Sequence, residues 1–188
     1  MIVFLDESGF SLRPSIRRTW APRGQTPILR EHFNWKRLSA IGALGWRPGQ
    51  EQIRVFLSLR SGAVTSETVI GFLRSLRRHI RGLVVLIWDG LSSHKSKKVR
   101  DYLQAQRHWL SVERLPAYAP ELNPLEGLWG NLKGCELANF LPDDLGQLAT
   151  QVRKGVRRVR RRPHLPFSFF EHAQLLTHRK FAYLYETH

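Results

Sequence analysis

Val84-Val85-Leu86-Ile87-Trp88-Asp89 is an unbroken apolar run that ends in a carboxylate. A run apolar on both faces suits a central strand of a sheet covered on both sides, so a buried strand is predicted over 83–88. The opening run Ile2-Val3-Phe4-Leu5 has the same form and also ends in an acid, Asp6. Upstream of the central run, Val69, Ile70, Leu73, Leu76 and Ile80 recur at helical spacing, with Arg74, Arg77, Arg78 and Arg81 on the opposite face. Ser66 reads as the N-cap of this helix, Glu67 as a first-turn acid favoured by the helix dipole, and Gly82 as the C-cap. Between the opening strand and this helix, 37–46 and 53–59 read as strands, the first with Leu38, Ala40 and Ala43 or Leu44 inward. The segment 19–27, punctuated by Pro22, Gly24 and Pro27, predicts a short strand and a turn.

Downstream, 95–106 reads as a helix, 110–115 as a strand, 116–124 as a turn and 125–138 as a helix. Pro142-Asp143-Asp144 opens a last long helix with Leu145, Leu148, Val152, Val156 and Val159 as its apolar stripe, and Pro163 ends it. An aromatic tail follows: Phe167, Phe169, Phe170, then Phe181, Tyr183 and Tyr185. Strands first and alternating units afterwards describe an α/β protein, a mixed sheet with helices on its faces.

The chain has 188 residues, enough for one domain. Thirty Lys and Arg against fifteen Asp and Glu give a formal charge of +15 and a pI near 11.1, the electrostatic footprint of a polyanion binder. Arg supplies most of that charge, which fits bidentate phosphate contact and equally fits a GC-rich genome. No apolar run approaches the roughly 20 residues that span a bilayer, and Met1 leads directly into a predicted strand, so neither a signal peptide nor a membrane partner is expected. Cys135 is the single cysteine, which excludes an internal disulfide and a multi-cysteine zinc site and fits a reducing, cytoplasmic setting.

Asp6 and Asp89 are each read as ending a buried strand. Strand ends of an α/β sheet converge on a crevice. Glu126 stands early in a helix, after Pro120-Glu121-Leu122-Asn123-Pro124, where it can overhang the same crevice. Oxygen-only ligands suit hard cations such as magnesium or manganese, and two ions about 3.5–4 Å apart can assist displacement at a phosphodiester. Each acid alone has a plainer reading: a turn or cap residue for the aspartates, a first-turn helix acid for Glu126. His94 and Asn123 are candidates to support the acids, His94 with a solvent-exposed or capping role as its alternative. Glu7 and Glu121 flank the acids but are expected to point to the opposite face. The basic face formed by Arg153, Lys154, Arg157, Arg158, Arg160, Arg161 and Arg162 is a candidate phosphate contact or a solvated face. No phosphate loop, His-Glu-x-x-His or Gly-x-Ser-x-Gly motif competes.

Asp6-Glu7-Ser8-Gly9-Phe10 resembles the first acidic motif of DDE-superfamily transposases, in the branch joining mariner-like elements with bacterial insertion-sequence relatives. Arg18-Thr19-Trp20-Ala21-Pro22-Arg23-Gly24-Gln25-Thr26-Pro27 is similar to the following strand and turn of that branch. Trp88-Asp89-Gly90-Leu91-Ser92-Ser93-His94 resembles its second motif, and Tyr118-Ala119-Pro120-Glu121-Leu122-Asn123-Pro124-Leu125-Glu126-Gly127-Leu128-Trp129 its third. Gly90 stands where the family usually has Asn, and Ala119 and Glu121 replace the commoner Ser and Asp. The resemblance implies a ribonuclease H-like fold with a five-stranded mixed sheet flanked by helices. It implies a catalytic core over 1–140, with the basic helix and aromatic tail of 141–188 packed on the same domain. It also implies Asp6, Asp89 and Glu126 as catalytic ligands of two Mg²⁺ or Mn²⁺ ions, nicking of DNA at element ends, and attack of the freed 3′ hydroxyl on target DNA. A homodimer on paired ends is implied, at the nucleoid of the cytoplasm. Relatives carry helix-turn-helix domains ahead of the first acid, and three readings follow: a split element with a separate upstream helix-turn-helix polypeptide as partner, a truncated remnant, or an expressed fragment. The alternatives are a catalytically idle DNA-binding remnant of a transposase and another ribonuclease H-like nuclease.

Overall fold

The computed structural model describes residues 1–29, 35–91, 93–116 and 119–175. Phe181, Tyr183 and Tyr185 of the aromatic tail, and Ser92 and Tyr118 of the motifs, lie outside the described residues. β1 (Ile2–Ser11), β2 (Arg37–Trp46) and β3 (Arg54–Ser61) form an antiparallel group. β4 (Val84–Trp88) lies parallel to β1, and β5 (Leu110–Arg114) parallel to β4. The sheet order is β3-β2-β1-β4-β5, the five-stranded mixed sheet that the family resemblance implies. α1 (Ser66–His79) links β3 to β4 and α2 (Lys97–Ala105) links β4 to β5. α3 (Leu125–Asn131), α4 (Leu145–Arg160) and α5 (His164–His172) follow.

The two-residue period of the strands divides the core. Phe4, Phe10, Leu38, Ala40 and Leu44 face α3, α4 and α5, while Val3, Leu5, Ile41, Ala43, Leu86 and Trp88 face α1 and Val99 of α2. Fully burying one such Leu or Phe contributes roughly 2 kcal/mol. Neighbours on β1 therefore serve different helical layers, which matters for the acids at positions 6 and 7.

Several local expectations are corrected. The segment 19–27 forms no strand: Pro22 and Pro27 lack a ladder donor, and Trp20 is fully exposed. The chain just before it is anchored by Asn139, whose carboxamide exchanges hydrogen bonds with the backbone of Arg17, each 2.9 Å long. The cap of α1 is Thr65, not Ser66. Thr65 and Thr68 form a reciprocal capping box. The C-cap of α1 is Ile80, not Gly82, which lies beyond it in a left-handed turn, φ 87°. Leu83 and Val85 are partly open to solvent, so β4 is covered less completely than its sequence suggests. The helix expected over 125–138 is α-helical only to Asn131 and then widens into a π-turn, Leu132–Glu136. Phe167, Phe169 and Phe170 belong to a helix rather than an irregular tail. Pro163 ends α4 and also starts α5, because a first-turn proline gives up no helical hydrogen bond. Phe170 meets Phe4 edge to face at 5.5 Å, so α5 closes onto β1.

Candidate active site

β1 runs on to Ser11, so Asp6 lies within a strand rather than at its end. It sits opposite Gly42 of β2, just past the last β1–β4 pair, Phe4 with Ile87. Continuing that register brings Asp6 beside Asp89, the first residue after β4. Asp6 faces the α3 layer and is only 8% exposed. Its Oδ2 accepts a 2.9 Å hydrogen bond from the indole Nε1 of Trp129. The ring reaches that position because Gly42 leaves room: a Cβ there would stand 2.5 Å from Cη2 of Trp129. Burial pushes the Asp6 carboxyl up to about 6; the Trp129 and Glu7 N–H groups oppose the rise, and the charges of Glu126 and Asp89 add to it. The charges of all three predicted acids thus act within one site.

Glu126 is exposed in the first turn of α3. The turn before it is set by Asn123, which is 6% exposed. Its Oδ1 accepts from Leu125 N–H at 3.2 Å and its backbone carbonyl from Glu126 N–H at 3.1 Å. Asn123 thus forms an Asx turn just ahead of Pro124, the cap of the helix that carries Glu126. α3 is pressed against α5 at Gly127, where a Cβ would meet Phe169 at 2.7 Å. Glu126 opens onto a cleft of about 550 Å³ bounded by Pro120, Asn123, Phe169 and His172. A larger groove, about 910 Å³, lies between β3 and α1 and holds none of the three acids; chemistry rather than size selects the site.

Asp89 is held differently. Its Oδ1 accepts from Leu91 N–H at 3.1 Å and lies 3.0 Å from Nδ1 of His94. The His94 ring is 4% exposed and stacks flat on Trp88, with centroids 4.1 Å apart and planes within 3°. Its Nε2 meets Oε1 of Glu7 at 2.8 Å. Both ring nitrogens face oxygen acceptors. Burial disfavours the imidazolium, but the hydrogen bond and charge of Glu7, and then Asp89, outweigh it and raise the pKa. Glu7 points away from the Asp6 face, as the strand period requires, yet finds a partner there. Neither Glu7 nor Trp129 stands out as a contributor in sequence. The signal for Glu7 is its odd position beside Asp6, and it has meaning only once His94 folds back onto β1.

The basic helix α4 packs on β2 and β3, toward the other edge of the sheet from β4. Two of its cations have structural partners: Arg158 pairs with Glu136 at 3.1 Å, and Arg160 donates through Nε to the carbonyl of Val55 at 3.0 Å. Arg153, Lys154, Arg157, Arg161 and Arg162 are exposed. Lys95 lies against Gly90, beside Asp89. Arg114 ends β5 opposite Trp88.

Among the described residues no three His, Cys, Asp or Glu side chains close into a finished metal cage. The donor chemistry nevertheless fits hard divalent cations. The three acids offer carboxylate oxygen, and a buried carboxylate under the field of two like charges is a state that a cation relieves.

The sheet order, the helices on both faces and the acids on β1, after β4 and on α3 define a ribonuclease H-like fold. The structure matches the Mos1 mariner paired-end complex with Mn at a TM-score of 0.67 and 19% identity, covering 92% of this chain and 53% of that one. It matches the Mos1 strand transfer complex at 0.62 and 20% identity, covering 92% and 53%. For the Mos1 transposase catalytic domain with Raltegravir and Mg the values are 0.59, 17%, 92% and 80%. The chain spans about half the length of the Mos1 chains in the two complexes. At these identities the likeness is one of fold. No curated protein matches the sequence. Residues 1–148 match the family of DDE superfamily endonucleases, and the chain belongs to that family. Among the described residues no helix is long and apolar enough to cross a membrane.

Proposed function

We propose that this chain is the catalytic domain of a DNA transposase, with Asp6, Asp89 and Glu126 as its catalytic carboxylates. The observation that carries this reading is the buried Asp6 under the charges of Glu126 and Asp89, in a chain of the DDE endonuclease family. The Mos1 relatives were solved as paired-end and strand transfer complexes, which supports DNA ends and target DNA as substrates and a homodimer as the working unit. A separate helix-turn-helix polypeptide as end-recognition partner, and a place at the nucleoid, belong to the same proposal.

The three acids would hold two Mg²⁺ or Mn²⁺ ions, which supply activation of the attacking oxygen and charge stabilisation at the scissile phosphate. The protein's own part is positional. Trp129 fixes one oxygen of Asp6, Asn123 fixes the helix start that carries Glu126, and the cleft beside Glu126 leaves space for a strand. Lys95 and Arg114 flank Asp89 and are suited to neighbouring phosphates. Arg153, Lys154, Arg157, Arg161 and Arg162 extend the cationic surface, with Arg158 and Arg160 partly engaged by Glu136 and Val55.

The test is nicking and strand transfer on supercoiled plasmid with Mn²⁺, comparing the parent chain with Asp89→Asn. Activity should fall to background while melting temperature and DNA affinity stay close to the parent. Full activity in the variant overturns the assignment. Metal binding without nicking in the parent chain favours an idle DNA-binding domain instead.

A further inference from the structure

Asp6 and Glu126 are tied to elements of the core, but Asp89 lies outside β4, on a loop, with its side chain 37% exposed. Its order has to come from somewhere other than the strand ladder. The side chains around it form a bridge across two strands. Glu7, whose side chain is 10% exposed, meets Nε2 of His94 at 2.8 Å, and Nδ1 of the same ring meets Oδ1 of Asp89 at 3.0 Å. Trp88 sets the plane of the ring by flat stacking at 4.1 Å. Leu91 N–H makes a second contact to the same Oδ1, at 3.1 Å. Nδ1 of His94 makes its hydrogen bond to the backbone carbonyl of Asp89 at 3.2 Å while lying beside Oδ1, so that backbone and side chain of Asp89 are both tied to a ring locked between a carboxylate and an indole.

We propose that Glu7 and His94 are positioning residues for Asp89. Glu7 holds the imidazole, and the imidazole holds Asp89 by its backbone carbonyl and by its place 3.0 Å from Oδ1, which also takes the Leu91 N–H, so that the other oxygen, Oδ2, is the one presented to a cation. The neighbouring acids on β1 thereby divide the work between the two faces of the sheet. Asp6 is a ligand on the α3 side, and Glu7 orients a second ligand from the α1–α2 side. The period of the strand makes this division possible, since adjacent side chains cannot serve one face. Partners that orient ligand side chains from behind typically change metal affinity by about 10–100-fold when removed.

The inference rests on the metal reading of the three acids, and the experiment separates the two. Mn²⁺ titration calorimetry compares the parent with Glu7→Ala and with the isosteric Glu7→Gln, alongside thermal melts of each metal-free protein. Ring ¹⁵N–¹H spectra of His94 are recorded at one fixed pH. The expected result is Mn²⁺ affinity weakened about 10–100-fold in Glu7→Ala and largely restored in Glu7→Gln, with melting temperatures close to the parent. In the metal-free protein, Glu7→Gln should shift the Nε2 signal, and Asp89→Asn the Nδ1 signal. Tight Mn²⁺ binding by the parent with equal affinity in Glu7→Ala overturns the positioning role and leaves the metal reading intact. No Mn²⁺ binding by the parent overturns the metal reading and the positioning role with it. Ring signals indifferent to both substitutions overturn the bridge itself.

Discussion

Asp6 and Asp89 are brought side by side by the register of the inner strands β1 and β4, and the fold holds them by opposite means. Asp6 is gripped by the core: it is in a strand, nearly buried, and bonded to an indole that occupies the space left by Gly42. Asp89 is on a loop, partly open, and held by a polar bridge of His94 and Glu7. The first arrangement has an electrostatic cost, visible in the raised pKa of Asp6. The second avoids burial of Asp89 but depends on three side chains meeting in one geometry. The proposed metal site thus combines one rigid, buried acid with one more open acid held by its neighbours.

The largest effect is expected from Asp6→Asn in the metal-free protein. The folded-state pKa of Asp6, about 6, lies above the ordinary 3.8, so folding favours the protonated form. The stability from this preference is fully present below about pH 4 and is lost as the pH rises through about 6. Asn carries no charge and escapes that loss. Urea unfolding in chelator should place the variant up to about 3 kcal/mol above the parent near neutral pH and level with it near pH 4. Equal stability at neutral pH would mean that burial of the Asp6 carboxylate has no electrostatic cost, and the contrast between the two supports would break.

Gly42→Ala is next. The added methyl would meet the Trp129 ring at 2.5 Å and displace the donor from Asp6. Thermal melts should register about 1–3 kcal/mol of destabilisation. Mn²⁺ affinity should fall while the His94 ring signals stay in place, because the bridge to Asp89 lies on the other face of the sheet. A shift in those signals would show that the two supports are coupled.

The smallest effect on the acids is expected from replacing Arg153, Lys154, Arg157 and Arg161 together with Gln. Stability should change by no more than about 0.5 kcal/mol, and both carboxylate environments should be unaltered. The dependence of DNA affinity on salt, plotted log against log, should flatten by up to about 3–4 in slope. An unchanged slope would reduce α4 to a solvated face and leave DNA contact to groups nearer the acids, such as Lys95 and Arg114.

Much of this was legible in the sequence because it is local. The apolar runs 2–5 and 84–88 carry the strand signal within themselves, and the stripes of α1 and α4 repeat at a period that no sheet can satisfy. The acids were legible because each follows such a run or a proline turn. The misreadings were also local: Thr65 and Ser66 are neighbours of equal capping chemistry, and only the backbone angles choose between them. For 19–27, Pro and Gly punctuation marks a turn but does not say whether a strand lies within reach to pair with the residues beside it.

The sequence by itself therefore determined the strands and helices, the basic charge and the three carboxylates, since each depends on periodicity or composition over a few residues. Tertiary structure alone decided that Glu7 answers to His94, that Gly42 exists for the ring of Trp129, and that Arg158 and Arg160 of α4 are partly occupied. Those facts join residues separated by 87, 123 and 105 positions in the pairs Glu7–His94, Asp6–Trp129 and Val55–Arg160. Contacts at such separation follow from how layers pack on the sheet, and no pattern along the chain encodes which side chains will meet there.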